Sequence, residues 1–499
     1  MPLVLGLDAS TTATKAVLLD PAGTVVGTGV AEYPLSVPRP LWAEQDPELW
    51  WHGGCAAIRS VLASTGTDPA DVVAVGLTGQ MHGSVLLDAA DVVVRPALLW
   101  NDQRTGDACD AIRAAVGRER LIRITGNDAL TGFTAPKLVW VRDNEPEAWA
   151  RIRHVLLPKD YVRLRLTGEH ATDKADGSGT ILFDLAERDW SDVVLAELGI
   201  DPAWMPRTVE GPEVAGRVTA AGAAASGLLA GTPVVGGGGD QAANAVGTGV
   251  VDEGTMALSL GTSGVVFAAT ATPAIEPEGR VHAFCHAVPD RWHLMSVMLS
   301  AAGSLRWFRD TAAPGVAFSD LSDGAGEVPA GAEGLRFLPY LSGERSPHPD
   351  PLARGAFVGL TLAHDRRHLA RAVMEGVAFG LRDGLDGMTA AGVTMPSQIR
   401  ASGGGTASSV WVQILADVLG AEIATVSTTE GAAYGAGLLA AVGAGWFGTV
   451  TEATDACVRA TPVAAPGSDE AAYAACHAEY RQLYPALAPL FHRLSAPPA

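Results

Sequence analysis

Two aspartates, Asp8 and Asp240, each close an apolar, strand-like run and open onto small residues; this repeated pattern constrains the chain more than any other feature. The first run is Leu3–Asp8, followed by Ala9-Ser10-Thr11-Thr12-Ala13-Thr14-Lys15. The second is Pro233-Val234-Val235, followed by Gly236-Gly237-Gly238-Gly239-Asp240-Gln241. A strand, a hydroxyl-rich turn, an apolar return over Ala16–Leu19 and a turn at Asp20-Pro21-Ala22-Gly23 predict a β-hairpin. Its tip offers backbone N–H groups and hydroxyls to an anion such as a polyphosphate, and Asp8 offers the hard oxygen that magnesium requires. A lone Asp after a strand also serves as a turn cap. The recurrence of the pattern later in the chain favours the chemical reading.

At 499 residues the chain exceeds one ordinary core and suggests two or three domains. Its 48% apolar and 18% charged content is that of a packed globular protein. The formal charge of −20 opposes nucleic acid and anionic membrane as partners. Five scattered cysteines without a Cys-x-x-Cys fit reduced thiols in a cytoplasm. The N-terminus has no basic region and carries Asp8 within its apolar stretch, unlike a signal peptide. Gly431–Val450 is uncharged but rich in Gly and Ala, which predicts a buried, closely packed helix and not a membrane span.

Strand patterns fall at 3–8, 16–19, 24–30, 72–78, 84–88 and 96–100, with a helix over 47–64. The stretch 102–205 reads as mainly helical. A second strand, Thr255–Leu260, followed by Gly261-Thr262-Ser263-Gly264-Val265, restarts the opening pattern. Helices are expected near 300–313, 364–391, 407–419 and 431–446, and one long helix over 469–493; the Pro/Ala-rich stretches 461–468 and 496–499 read as loose. The resulting expectation is α/β: two related domains around a cleft, divided near Gly247, spanning 1–247 and 248–450, with 451–499 as a C-terminal extension.

Several constellations carry chemistry. Thr11, Thr12, Thr14 and Lys15 on one tip and Gly261, Thr262 and Ser263 on the other suit phosphate held from two sides; no Walker A sequence occurs. Gly403, Gly404 and Gly405 open a helix and would let a purine or ribose lie against backbone. The GxGxxG at Gly443–Gly448 follows a helix instead of a strand and is read as chance. Gln80-Met81-His82-Gly83 and Trp100-Asn101-Asp102-Gln103-Arg104 end strand patterns and offer what a polyol needs: directional hydrogen bonds beside an aromatic face. Asp240 is the candidate general base, its glycines leaving room for a substrate alcohol. His282-Ala283-Phe284-Cys285-His286, with His293, matches no common zinc spacing and reads as a strand that splits its histidines between faces. No GxSxG elbow supports an esterase.

Taken in order, these residues resemble the FGGY family of carbohydrate kinases across roughly 3–490. Gly132-Phe133-Thr134-Ala135-Pro136-Lys137-Leu138-Val139-Trp140 to Asn144 is similar to its N-terminal signature, and Gly355–Leu360 with His368–Glu375 to its second. The resemblance implies two ribonuclease-H-like domains of the actin and hexokinase kind around a central cleft. It implies ATP and magnesium as cofactors, with Asp8 as the metal-side carboxylate acting through water, and Asp240 as proton acceptor. Gly261, Thr262 and Ser263 would then bind phosphate, and Gly403–Gly405 adenosine. Gln-Met-His-Gly and Trp-Asn-Asp-x-Arg point to ketose-phosphorylating members over glycerol kinases. Met81, His82 and Asp102 would meet the sugar, with Gln80, Trp100, Arg104 and Gln241 nearby. The chain carries Gln241 where many relatives have Asn. The expected reaction is phosphorylation of D-xylulose at O5, with ribulose, gluconate or a pentitol as alternative acceptors, and an actin-like ATPase or a silent sugar sensor as readings from other classes. The expected partners are a small-molecule sugar and ATP, without nucleic acid or membrane; a homodimer is left open.

Overall fold

In the computed structural model, residues 1–428 and 430–495 are described. The first sheet opens with β1 (Leu3–Ala9), β2 (Ala13–Leu19) and β3 (Val25–Glu32), a meander in which each strand is antiparallel to the next. Helix α1 (Pro47–Thr65) then crosses over to β4 (Val72–Gly79), which lies parallel to β1 with Gly6 opposite Gly76 and Asp8 opposite Thr78. Beyond β4 come β5 (Val214–Arg217), β6 (Pro233–Val235) and the two-residue β7 (Gly238–Gly239). The order is β5-β6-β4-β1-β2-β3, with β7 also on β4.

The second sheet repeats the plan. Strands β8 (Thr255–Leu260), β9 (Gly264–Thr270), β10 (His282–Cys285) and β11 (Trp292–Met298) form antiparallel pairs. β12 (Gln398–Ser402) and β13 (Glu422–Val426) add on in parallel, and β14 (Ala460–Ala464) closes the edge antiparallel. In each sheet an antiparallel hairpin is followed by a parallel strand beside its first member. The duplication expected from the two Gly/hydroxyl turns is therefore present in the strand order.

Strand β1 is apolar on both faces because both are covered, the usual state of strands with parallel neighbours. Leu5 and Leu7 of β1, with Val75 and Leu77 of β4, pack against Trp50 and Ile58 of α1. Val4, Ala74 and Val235 point the other way, onto Ala433, Leu438 and Leu439. Those residues belong to the uncharged helix expected near 431–446, observed over Gly431–Gly443. This helix falls between β13 and β14 of the second sheet in sequence yet lies on the first. It also crosses α2 (Asp240–Gly247), the helix that opens with Asp240. The crossings occur at backbone distance: a Cβ at Gly6 or at Gly76 would stand 1.9 Å from the carbonyl oxygen of Ala433 or Ala436, and one at Gly435 would stand 1.8 Å from that of Ala243. The small-residue composition of 431–443 is thus a packing requirement.

Two expectations at the C-terminal end are corrected. The single helix over 469–493 is two, Glu470–Tyr480 and Leu483–Ser495. Pro485 lacks an amide hydrogen and fits only the first turn of a helix, so the second helix starts just ahead of it. The stretch 461–468 is not wholly loose, because Ala460–Ala464 is an edge strand, a position that tolerates Pro462. Tyr473, Tyr480 and Phe491 are buried in the second domain's core, so the two terminal helices are built into that domain. The expected looseness of 496–499 lies outside the described residues. Among the described residues no helix is long and apolar enough to cross a membrane.

Gly435→Ala is expected to lower unfolding free energy by about 1–3 kcal/mol, the usual range for a forced core insertion. Gly106→Ala, where an added Cβ meets nothing within 4 Å, is expected to stay within about 0.5 kcal/mol of the parent. Denaturant unfolding of both variants beside the parent checks the contrast.

Candidate active site

Strands β1, β4 and β7 end side by side. Asp8 lies opposite Thr78, Gly238 pairs with Thr78 from the other side, and Gly239 pairs with Gly79, so Asp240 emerges next to the end of β4. The two aspartates that the sequence singled out share this crevice closely enough to repel one another. Burial is the main cause that pushes the Asp8 carboxyl up to about 7, the Asp240 charge adds to it, and Lys15 opposes it. Burial likewise raises Asp240 to about 6, held lower than Asp8 by hydrogen bonds from the side chain and backbone of Gln241. Oδ1 of Asp8 is buried and has no hydrogen-bond partner. A buried carboxylate oxygen without a donor, facing a second carboxylate, is the arrangement that a divalent cation with oxygen preference would complete. The residues present therefore fit a magnesium ion.

The glycines before Asp240 do something other than expected. A Cβ at Gly236 would lie 2.3 Å from the Glu210 carbonyl oxygen and one at Gly237 only 1.7 Å from that of Leu77. At Gly238 it would lie 2.9 Å from Ala287 Cβ, and at Gly239 2.8 Å from Met81 Cγ. The run is glycine so that the chain can thread between neighbours; it is protein that comes close there, in place of the expected substrate.

The first tip is also rearranged. The return strand starts at Ala13, so Thr14 sits within β2, fully buried, with Oγ1 hydrogen-bonded to the Tyr33 hydroxyl at 3.1 Å. Its expected place on phosphate is corrected: the strand register turns it inward. Thr12 remains exposed. Thr11 donates to Gln80 Oε1 at 3.3 Å and accepts from Trp100 Nε1 at 3.1 Å, joining the first tip to the polyol-side residues. Lys15 is paired with Glu430 at 3.1 Å.

At the second tip Thr262 and Ser263 are exposed. The carbonyls of Gly261 and Thr262 accept from the amides of Ala302 and Ala301, both at 2.8 Å. Ala302 opens the helix Ala302–Ala312 and lines a cavity of about 410 Å³ together with Gly404, Gly405, Arg306, Phe318 and Ser408. The cavity thus adjoins both the tip and the glycine turn. Gly403 (φ +95°) and Gly405 pack directly on Leu260, while a Cβ added at Gly404 would meet nothing within 4 Å.

On the sugar side, His82 adopts φ +68°, which a side chain such as imidazole seldom takes without constraint. Its Nδ1 lies 2.7 Å from the Gly179 carbonyl, which can only accept, so Nδ1 carries the proton and Nε2 presents a lone pair. Burial, with the Lys137 cation, holds the imidazole neutral, well below its ordinary pKa. The His82 carbonyl accepts from Lys137 Nζ at 2.7 Å and from the Thr134 hydroxyl at 3.1 Å. Lys137, Nζ also 2.6 Å from the Gly132 carbonyl, is fully buried, and burial draws its ammonium down to about 7. Met81 is buried between Gly179 and Gly239.

Asp102 and Arg104 stand behind the wall and not on it. Asp102 is fully buried and accepts from the Ala43 amide at 2.7 Å and from Arg104 Nη2 at 2.7 Å. Arg104 also binds Glu44 at 2.7 Å, and its guanidinium lies 3.6 Å from the centre of the Trp42 ring. Both expected sugar contacts are corrected on this ground: their polar atoms are already used. Trp100, 42% exposed, and Gln103 are the members of that loop open to solvent.

The sequence reading missed what lies beneath. Lys159 Nζ sits 2.8, 2.6 and 2.9 Å from carboxylates of Asp160, Asp173 and Asp176, all fully buried. A Cβ at Gly239 would stand 3.4 Å from Asp176 Oδ1, so this cluster supports the residue just before Asp240. Lys159, Asp160, Asp173 and Asp176 did not stand out over 159–176, because Arg163, Arg165, Glu169, His170 and Lys174 make the same stretch read as a solvated, charged face.

Residues 3–247 match the N-terminal domain of the FGGY family of carbohydrate kinases, and 256–444 its C-terminal domain. The chain is 46% identical over 446 residues to xylulose kinase of Escherichia coli K12, spanning 89% of this chain and 90% of that one. A solved structure described as a xyloylose kinase from Brucella ovis superposes with a TM-score of 0.91 at 42% identity, over 98% of this chain and 100% of that one. One described as gluconate kinase from Lactobacillus acidophilus gives 0.94 at 27% identity, over 99% and 100%. Two halves of like topology, a shared carboxylate crevice and matches over both domains lead to one conclusion: the chain belongs to the FGGY family of carbohydrate kinases.

Proposed function

We propose that the protein transfers the terminal phosphoryl group of ATP to O5 of D-xylulose, with Asp240 as general base. The observation that carries this reading is the meeting of Asp8 and Asp240 at adjoining strand ends, with Asp240 poised near 6. A base of that strength is ionised at neutral pH yet still basic enough to take an alcohol proton. As the new O–P bond forms, the alcohol proton passes to Asp240 and the bond to the departing ADP breaks. Asp8, facing Asp240, would hold the magnesium ion that accompanies ATP; when bound, that ion offsets charge on the phosphate oxygens.

The other roles follow the geometry. Neutral His82 offers Nε2 to a sugar hydroxyl, Trp100 covers a C–H face, and Met81, Gln80 and Gln241 complete the seat. Asp102 and Arg104 hold the Trp100 loop from behind. Thr11, Thr12, Lys15, Gly261, Thr262 and Ser263 attend the phosphates, and the cavity beside Gly403–Gly405 takes the adenosine. Functionally, residues 1–247 supply sugar and base, and the rest supplies the nucleoside side. Five free thiols suit a reducing, cytoplasmic setting. D-Xylulose is favoured over other acceptors by the names of the relatives in Escherichia coli and Brucella ovis, and gluconate is the second reading because of the Lactobacillus acidophilus neighbour.

An ADP-release assay over D-xylulose, D-ribulose, gluconate and xylitol tests acceptor class, and the highest kcat/KM is expected with D-xylulose. Asp240→Asn is expected to lower kcat by about 10²–10⁴-fold. In the parent, kcat/KM should fall as pH drops through about 6, where Asp240 takes up its proton. Near-normal turnover in Asp240→Asn would remove it from the base role.

Asp8 also predicts a stability effect of known sign. Its folded pKa of about 7 lies above the ordinary 3.8, so the fold gains from the protonated form. That contribution is complete below about pH 4 and is lost as pH rises through about 7. Asp8→Asn keeps the neutral shape at every pH. It should therefore be more stable than the parent at pH 8, by on the order of 1 kcal/mol or more, with a smaller gain at pH 5.5. Thermal unfolding at both pH values checks this.

A further inference from the structure

Outside the crevice, three side chains from separate segments converge on one point. Asp91 belongs to the turn after the strand Val85–Leu87; His154 begins the strand His154–Leu156 that pairs with it, opposite Leu87; His170 precedes the strand Ala171–Asp173. One ligand atom from each lies within 4.8 Å of the others. His170 Nε2 is 2.8 Å from Asp91 Oδ1 and His154 Nε2 is 4.0 Å from the same oxygen. The two rings stack, with centroids 4.1 Å apart and planes at 28°. We infer that Asp91, His154 and His170 form a binding site for a divalent transition-metal ion such as zinc, separate from the site for magnesium and nucleotide.

The ligand chemistry is selective. Two imidazole nitrogens and one carboxylate oxygen suit zinc or its neighbours in the first transition row, whereas magnesium prefers oxygen donors alone. Three protein ligands leave a coordination position for water, which the partial exposure of all three side chains allows: 42% for Asp91, 31% for His154 and 29% for His170.

The carboxylate is also presented by a braced turn. Asp91 stands at φ +59°, and the Asp88 side chain accepts from the amides of Ala90 and Val92 at 3.0 and 3.1 Å. Arg151, the guanidinium nearby, is engaged by Asp88 at 3.2 Å, leaving Asp91 to the histidines. A second cluster, Asp383, Asp386 and His477, lacks this freedom. Arg382 lies 2.7 Å from Asp386 and Arg481 lies 3.7 Å from Asp383, and two guanidinium charges oppose a cation there.

The test is calorimetric titration of zinc chloride into the full-length, chelator-treated protein at pH 7.5, without nucleotide and with millimolar magnesium present. One saturable site per chain is expected. Affinity should fall by at least about tenfold in His154→Ala and in His170→Ala, by the loss of a direct ligand. Asp91→Asn and His170→Gln, which keep size and polarity at partly exposed positions, should weaken binding in the same sense, and His477→Ala should leave the isotherm unchanged. Circular dichroism confirms that each variant is folded. Absence of a saturable site, displacement by magnesium, or an unchanged isotherm in the folded His170→Gln variant would overturn the assignment. The outcome is independent of which sugar the crevice accepts.

Discussion

Two carboxylates held against each other in a buried crevice set the terms for the rest of this molecule. Asp8 and Asp240 have the same degree of burial, yet one rests near 7 and the other near 6. The Asp240 charge adds to the rise of Asp8, and the two carboxylates also differ in their donors. Gln241 hydrogen-bonds the Asp240 carboxylate, and Asp240 opens helix α2, whose N-terminal end favours negative charge. Asp8 has a buried oxygen with no donor. Lys15, its opposite number across the β1–β2 ladder, is drawn toward Glu430. Asp240 is therefore ionised near neutrality through the protein alone, whereas full ionisation of Asp8 calls for an added cation. One site thus separates a proton acceptor from a metal-side ligand by hydrogen bonding, with no difference in residue type.

That separation depends on holding strand ends in place, and small residues do this. The Gly431–Gly443 helix presses on β1 and β4 at Gly6 and Gly76, and on α2 at Gly435 and Gly247. Side chains of ordinary size would part these backbones by ångströms and move Asp8 relative to Asp240. Because the same helix lies between β13 and β14 of the second sheet in sequence, the contact also couples the two halves. Movement between them must accommodate a crossing that has almost no slack, so pivoting about this contact is easier than sliding along it.

Much of this was legible in the sequence because periodicity and punctuation act locally. Continuous apolar runs marked β1 and β4, the Ser10–Thr12 and Gly261–Ser263 turns marked the duplicated hairpins, and Asp8 and Asp240 stood at the ends of apolar runs. What failed depends on packing between distant segments. Whether Thr14 lies in the turn or points inward is set by where β2 begins, at Ala13 and not at Ala16, and Tyr33, just past β3, completes its burial. Asp102 and Arg104 looked available because the groups that hold the pair in place, Trp42, Ala43 and Glu44, lie some sixty residues away in sequence. The glycines before Asp240 looked like room for substrate, but the neighbours that fill that room come from Glu210, Leu77, Ala287 and Met81. Local pattern identifies what a residue can do; only the assembled neighbours decide which of those things remains open to it.

The buried ions beneath the crevice show why polar groups are used where apolar ones would be less costly. Burying Lys159 with three aspartates gains little stability, because desolvation consumes most of the attraction. The gain is positional. Between β6 and β7 the ladder on β4 lapses: Val234 pairs with Val75, and pairing resumes only at Gly238. The carbonyls of Val235 and Gly236 fall where the ladder on β4 lapses. Arg163 supplies donors there, its Nη1 and Nη2 each 2.6 Å from one of them, while Asp160 binds Arg163 at 3.2 Å and Lys159 at 2.8 Å. An aliphatic replacement could fill the same volume, yet it would leave two buried carbonyls unsatisfied four and five residues before Asp240. The charged cluster is thus explained by the glycine run: a segment that must thread without side chains has to be held by its backbone, and only donors can hold a carbonyl.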